Sequence, residues 1–453
     1  MKEIACSATA IFARSISGQI PTADRDLFYP AFGRAEEDEL CRLFSKINVD
    51  ALAARASELR QGIKCSVAPF EYDSAKRRSH MGGMNYHVEI LFADNVVWLA
   101  RIRRFNTKTP PQASRDYVLE SEVATLLFLE QTTVPTPRVY GYALERDDNP
   151  VGVGYILMEK LAGKALDWPA ADPNQRRKVM DQLADILIEI YKHPLPALGS
   201  LDTPGSSQIG GFAHESLLNM AGGRLQTCQP FHSAEQYRRS LLQLILDRIL
   251  AQEMYAAQPV EAYLLHRFLV DLVPVLTPAA SVEEKFYLKH DDDKGDHILV
   301  DESFNITGVI DWEWAHTAAP AEAFNSPVGL LPVAEFYAGK GTIGADEAVF
   351  AQVLKEGHDL LAQCVLNGRA QHLFAFCCGI DLSDWDGFLG LFQGLRDTCG
   401  VDADLSWEEW KEAALRRYKG DTRLQELLIR CEAGVGTVVV EDEEGGKSAP
   451  NEK

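Results

Sequence analysis

Between Lys289 and Trp314 the sequence reads KHDDDKGDHILVDESFNITGVIDWEW, and the residues best suited to chemistry are gathered there. Asp292 follows His290 by two positions and precedes His297 by five. Asp311 lies beyond two short apolar runs, Ile298–Val300 and Ile306–Ile310, which flank a polar turn from Glu302 to Asn305. Runs of that length around such a turn predict a β-hairpin, with a carboxylate-bearing loop at one end of each strand. Phosphoryl transfer of the kinase type needs this set: a carboxylate to accept a hydroxyl proton, a metal ligand five residues on, and a second carboxylate on Mg2+. A solvated acidic turn would explain a lone DDD run, but not the spacing on both sides of a hairpin. A divalent-metal hydrolase is the rival chemistry, because mixed His and Asp ligands suit Zn2+ or Mn2+.

Elements upstream would have to supply the grip on a nucleotide. Met81-Gly82-Gly83-Met84-Asn85 precedes an alternating run, His87 to Phe92, then Asp94-Asn95 and a second run, Val96 to Ile102. That is strand, turn, strand. Gly82 and Gly83 would let backbone N–H groups approach phosphate oxygens with no Cβ in the way. A kinase-type small lobe also needs a cation on its third strand and a glutamate on the next helix to orient it. Arg101, in WLARIRR, takes the first role, with Arg103 on the same face and Arg104 beside it as rivals. On the helix expected over Arg115 to Gln131, Glu122 takes the second role, with Glu120 as alternative.

The Lys289–Trp314 stretch resembles the signature of the aminoglycoside phosphotransferase and choline kinase-like family, HGDxxxxNILVD followed by a strand and IDWE. His290, Asp292, Ile298, Leu299, Val300, Asp301 and Ile310-Asp311-Trp312-Glu313 match, with Asp291 in place of Gly and His297 in place of Asn. The form KHxDDKGDHI is that of the fungal-type phosphotransferase subgroup. Upstream, Glu122, Ala124, Leu129 and Val134-Pro135-Thr136-Pro137-Arg138-Val139 match E-x-A-x-x-x-x-L followed by xVPxPRV, and Arg101 stands where the family writes VLR.

The resemblance implies an α+β, bilobed protein-kinase-like fold, with a small N-lobe antiparallel sheet and a larger, mainly helical C-lobe. It implies an enzyme that transfers the γ-phosphoryl group of ATP or GTP to a hydroxyl of a small molecule. Asp292 is then the base, and His290 packs the catalytic loop. His297 and Asp311 hold Mg2+ or Mn2+. Gly82, Gly83, Asn85, Arg101 and Glu122 hold the nucleotide phosphates, and Met158, Glu159 and Leu161 form the hinge beside the base. His297 carries two further expectations. As a ligand, its nitrogen would favour Mn2+ and would lose the metal as pH falls from about 7 to 6; alternatively it hydrogen-bonds its own loop while water completes the metal shell. The same replacement also fits a nucleotide-binding pseudokinase without turnover.

Beyond Asp172 the chain turns helical. Asp172 is an N-cap with Pro173 at N1, and Val179, Leu183, Ile186, Leu187 and Ile190 form one apolar stripe. Leu198 to Phe212, rich in Gly, Ser and Pro, reads as a loop and resembles the family's GSL…IG insert near the acceptor site. Ser233-x-x-Gln236 and Ser406-x-x-Glu409 are capping boxes, and Ala348 to Val365 and Gln371 to Cys377 predict further helices. The expected organisation is an N-terminal helical extension over 1–74 with one helix from Glu37 to Cys65, a nucleotide-binding N-lobe over 75–160, a helical C-lobe over 161–431, and a disordered acidic tail over 432–453.

With 453 residues, 46% hydrophobic and 25% charged, the chain has material for two or three lobes. Its 66 acidic against 45 basic residues, net −21, argue against a nucleic-acid partner or an anionic membrane surface and suit a cationic acceptor. Nine cysteines without a C-x-x-C pair point to a reducing compartment, so a cytoplasmic location is expected. The start MKEIACSATAIFARSISG makes mitochondrial import the alternative. Oligomeric state leaves no mark in the sequence.

Overall fold

The structure is a computed structural model that describes residues 22–70, 81–105, 109–146, 148–277, 284–378 and 385–432, with side chains from residue 32 onward. The leader-like start and, apart from Glu432 at the end of a helix, the acidic tail expected over 432–453 lie outside the described residues.

Two helices open the described chain, α1 (Thr22–Lys46) and α2 (Val49–Leu59). The sequence pattern predicted one helix from Glu37 to Cys65. It breaks at Asn48, whose side chain accepts the Ala51 N–H at 3.1 Å and caps α2, as asparagine prefers to do. The chain then enters a five-stranded antiparallel sheet, ordered β1-β2-β3-β5-β4: β1 (Cys65–Val67), β2 (Asn85–Phe92), β3 (Val97–Arg103), β4 (Val139–Ala143) and β5 (Tyr155–Glu159). β1 falls inside the stretch expected to be a helical extension and pairs Val67 with Ile90, so the sheet begins before residue 75.

Alternation along β3 and β5 decides what each sheet face holds. Trp98, Ala100 and Ile102 of β3 join Tyr155 and Leu157 of β5 in a core with Leu40, Leu43, Leu52 and Ala56 of the two N-terminal helices. Ile156 and Met158 point the other way, into a second core shared with Val123 and Leu126 of helix α3 (Gln112–Leu129) and with the catalytic hairpin. Arg101 and Arg103 are on that second face too, between sheet, α3 and hairpin.

Past β5, the two-residue strand β6 (Lys164–Ala165) pairs with β12 (Ile298–Val300), which pairs in turn with β13 (Ile306–Val309). The expected hairpin is therefore present, tied at one edge to the segment leaving the sheet. Helix α4 (Pro173–Tyr191) starts at a full capping box, Asp172 with Gln175. The expected loop 198–212 contains the short pair β7 (Ser200–Leu201) and β8 (Ile209–Gly210). A second hairpin follows, β9 (Leu218–Ala221) with β10 (Arg224–Thr227), turned by Gly222-Gly223 at φ 57 and 75, and β11 (Tyr287–Lys289) later leads into the His290 loop. The predicted helix over Ala348 to Val365 is two, Ala345–Gly357 and Asp359–Leu366, divided at His358.

The chain divides into two compact units, residues 1–237 with 274–403, and residues 238–273 with 404–453. The stretch read as one C-lobe is thus shared between them. In the second unit Trp410 packs edge-on to Phe268 at 5.5 Å, and Tyr418 donates to Asp271 at 2.8 Å.

Candidate active site

Strand alternation delivers Arg101 and Arg103 to one buried hub. Arg101 Nε donates to Glu122 Oε2 at 3.1 Å, and its Nη2 reaches Asp311 Oδ1 at 2.5 Å and Glu313 Oε2 at 3.3 Å. Arg103 pairs with Glu313 and Glu215, and Asn85 Nδ2 donates to Glu313 Oε2 at 2.9 Å. The expected partner Glu122 is thus the one engaged. Arg103 is a second member of the same hub. Arg104 faces elsewhere. Burial works against the charge on Arg101, but three carboxylates outweigh it and raise its proton affinity. Glu122 and Glu313 are pushed up by burial, with Arg101 and Arg103 pulling against it. Two guanidiniums facing four carboxylates leave the hub with surplus negative charge.

Asp311 stands at the open edge of this hub. It is surrounded deeply, yet 45% of its side chain stays accessible, as befits the floor of a cleft. Burial would raise its pKa, but Arg101 dominates and holds the carboxyl well below its usual range. Its backbone is left-handed, φ 65, and Trp314 follows at φ 67. Non-glycine residues are held there only where surrounding contacts over-determine the chain, and such strain collects at functional sites.

The loop in front of β12 is organised by His290. Its Nε2 donates to Ile310 O at 2.9 Å, and its Nδ1 accepts the Asp292 N–H at 3.2 Å. Its ring packs edge-on to the buried Trp312 at 4.8 Å and lies 4.3 Å from His297. Both nitrogens serve the backbone, so His290 holds the loop. Lys294 donates to Asp292 Oδ2, while Asp292 Oδ1 is buried with no hydrogen-bond partner. Burial raises the pKa of Asp292 and Lys294 moderates the rise.

His297 departs from its first expectation. Its Nδ1 accepts the Gly295 N–H at 3.3 Å, so in the neutral ring Nε2 carries the proton and presents a donor. Burial pushes its pKa well below 6.5, so it stays neutral between pH 7 and 6. Of the two expectations for His297, hydrogen bonding within its own loop is the one this geometry favours.

Among the described residues no three His, Cys, Asp or Glu side chains converge as a metal cage. Asp311, ionised, accessible and beside surplus negative charge, fits one ligand of a Mg2+ that takes its other oxygens from water and phosphate, the usual way this ion is held.

At the glycine turn, Gly82 N–H donates to Asn85 O at 3.0 Å, and a Cβ added at Gly82 or Gly83 would meet nothing within 4 Å. At the other end of the sheet, Met158 is buried and paired with Leu99 and Val139. Glu159 N–H donates to Arg138 O at 2.9 Å. Leu161 lies so close to Gly308 of β13 that a Cβ there would strike its Cδ1. The segment expected to be the hinge is thereby fastened to the β12–β13 hairpin, again by Thr307 Oγ1 donating to Ala162 O at 2.5 Å.

Glu313, Glu215 and Lys294 were not given site roles from sequence. Glu313 and Lys294 sit within the quoted stretch, where charge next to a motif was the available signal. Glu215 had none. Around Asp291 lies an aromatic surround: His214 and Trp314 rings at 5.1 Å, Phe212 and Tyr237 stacked at 4.6 Å, and His316 Nδ1 at 3.5 Å from the Asp291 carboxylate. Trp314 Nε1 and Asp291 Oδ2 are buried without hydrogen-bond partners.

Known proteins resemble this chain in part. A subtelomeric hrmA-associated cluster protein of Aspergillus fumigatus is 36% identical over 96 residues, 20% of this chain and 19% of that protein. Clavilactone A biosynthesis cluster protein Y of Ampulloclitocybe clavipes is 27% identical over 209 residues, 45% of this chain and 50% of that one. The chain thus spans half or less of these relatives. Among solved structures, a gentamicin–APH(2″)-IIa complex aligns at TM-score 0.44 and 13% identity, over 79% of this chain and 98% of the other. An aminoglycoside phosphotransferase APH(4)-Ia complex with ADP and hygromycin B aligns at 0.38 and 15%, over 81% and 98%. The identification rests on neither pair but on residues 93–324, which carry the Arg101–Glu122 pair, the Asp292 loop and Asp311 and match the phosphotransferase enzyme family, to which this chain belongs.

Proposed function

We propose that the protein transfers the γ-phosphoryl group of ATP or GTP to a hydroxyl of a small molecule. The observation that carries this is Asp292 Oδ1, a buried carboxylate oxygen with an empty acceptor position, on a loop whose His290 and Lys294 are committed to holding it. A hydroxyl placed there would give its proton to Asp292 as its oxygen bonds to the γ-phosphorus. The bond to the bridging oxygen breaks in the same displacement, and the nucleoside diphosphate departs with that oxygen's charge. A raised pKa makes Asp292 a better proton acceptor, and Lys294 keeps a positive charge where phosphoryl charge develops. Arg101, oriented by Glu122, would hold the nucleotide phosphates, with Gly82 and Gly83 over them and the segment from Met158 to Leu161 beside the base. Mg2+ held by Asp311 would neutralise the phosphate oxygens.

The test is a nucleotide-consumption screen of the purified protein against hydroxyl-bearing metabolites, with Asp292→Asn as the blank. Removing a general base lowers turnover by roughly 10² to 10⁴, with nucleotide affinity nearly unchanged. Turnover that survives in Asp292→Asn would overturn the base assignment. Nucleotide binding without turnover on any acceptor would favour the pseudokinase reading.

A further inference from the structure

Helix α1 lies upstream of the family-matched segment, and the proposed chemistry makes no use of it. It is nevertheless joined to the glycine turn through one guanidinium. Arg104 Nε and Nη2 donate to the two oxygens of Glu39 at 2.8 and 2.9 Å, and Nη2 also reaches Glu36 at 3.2 Å. On its other side Arg104 Nη1 donates to Gly82 O at 3.0 Å and Gly83 O at 3.4 Å. Arg104, Glu36 and Glu39 are 6%, 4% and 5% exposed, so the link is internal. The far end of α1 is fixed independently. Asn48 N–H donates to Val151 O at 2.8 Å, and Gly152 packs so closely on Lys46 O that a Cβ could not fit. Phe44 stacks on Phe70 at 5.1 Å and meets the Tyr86 edge at 5.0 Å. The helix is therefore a strut held at both ends.

A trans peptide is planar, and its C=O and N–H point in opposite directions. Drawing the Gly82 and Gly83 carbonyls onto Arg104 therefore turns the N–H groups of Gly83 and Met84 away from it. Neither amide has a partner among the described residues. The space over both glycines is open, and the next residue, Asn85, already touches Glu313 of the hub. Two adjacent unpaired N–H groups facing open space suit an anion.

We infer that Arg104, anchored by Glu36 and Glu39, is a positioning residue that aims the Gly83 and Met84 amides at the nucleotide's phosphates. The N-terminal helix is then part of the phosphate grip. This rests on the nucleotide-binding reading above.

The experiment compares wild type with the triple variant Glu36→Gln, Glu39→Gln, Arg104→Met, which removes all three charges at nearly constant volume, an exchange buried ion pairs often tolerate. Titration calorimetry measures the nucleoside triphosphate with Mg2+ and the bare nucleoside separately. The expected result is triphosphate binding weakened roughly tenfold or more, as for losing hydrogen bonds to a charged group, with nucleoside binding within about twofold. Equal losses for both ligands would mean a merely structural link, and unchanged triphosphate binding in a folded variant would overturn the inference outright. If the triple variant does not fold, Arg104→Lys serves, because an ammonium cannot fork between Glu39 and the two carbonyls; it should show the same selective loss, and undiminished triphosphate binding there overturns the inference equally. A wild type that binds no triphosphate removes the nucleotide reading and this with it, whereas a wild type that binds it no more tightly than the folded triple variant overturns this inference alone.

Discussion

His297 stands five residues after the proposed base, where the family pattern has asparagine, and its hydrogen bond decides what it can do. An imidazole that accepts the Gly295 N–H at Nδ1 carries its proton on Nε2, so it has no lone pair left for a metal. The expected outcome is that wild type and His297→Asn show the same Mg2+ to Mn2+ preference and superimposable pH profiles between about 6 and 7, since burial keeps the ring neutral there. Turnover or nucleotide binding measured with both metals across that range checks it, and a Mn2+ preference lost in the variant would restore His297 as a ligand. Residue type and spacing were enough to find Asp292, Asp311, Arg101 and Glu122 in the sequence. What could not be read is which atom each group spends on its neighbours. The commitment of both His290 nitrogens to backbone and the arrival of Glu215 on Arg103 depend on backbone positions that only the folded chain defines.

Among the elements, those with a strong local signal were legible. The strand, turn, strand from Asn85 to Arg103, the capped helix α4 and the catalytic hairpin all follow from alternation, caps and turn residues. The break at Asn48 and the strand Cys65–Val67 were hidden, because helical periodicity carries across a two-residue gap and a three-residue strand is too short to show alternation. The small pair β6 was equally hidden, although it links the hinge to the catalytic hairpin. Gly163 leads into it at φ 109, and a Cβ there would lie 2.5 Å from Thr307 Oγ1 and 2.9 Å from Val300 O. Both backbone conformation and space demand glycine at this position. Gly163→Ala is expected to destabilise the protein by about 1–3 kcal/mol, the range for a strained φ combined with a close contact. Hydrogen exchange over residues 298–309 in the two proteins checks this, and equal protection would mean that β6 is dispensable to the hairpin.

For the whole molecule, the charge balance and the two-unit division govern how the protein responds to acid. The second unit is built from segments more than a hundred residues apart, 238–273 and 404–453, which no local pattern could join. Inside it, on the helix Pro259–Leu276, His266 is wholly buried. Its Nδ1 donates to Ala262 O at 2.8 Å and its Nε2 has no partner. Burial pushes its pKa down to about 4, with the Ala262 carbonyl opposing only in part. The unfolded chain takes up this proton at about 6.5, so between those values the unfolded state binds more protons than the folded one. The stabilising contribution is therefore full above about pH 6.5, declines as pH falls through the window, and is spent below about pH 4. A difference of that size corresponds to about 3 kcal/mol. With two units a single unfolding free energy is not assured, so the readout belongs in the segment itself. Hydrogen exchange over residues 259–273 should show protection falling between pH 6.5 and 4, after correction for the intrinsic exchange rate, and His266→Met should flatten that decline. A decline of equal steepness in the variant would assign the acid sensitivity to other groups.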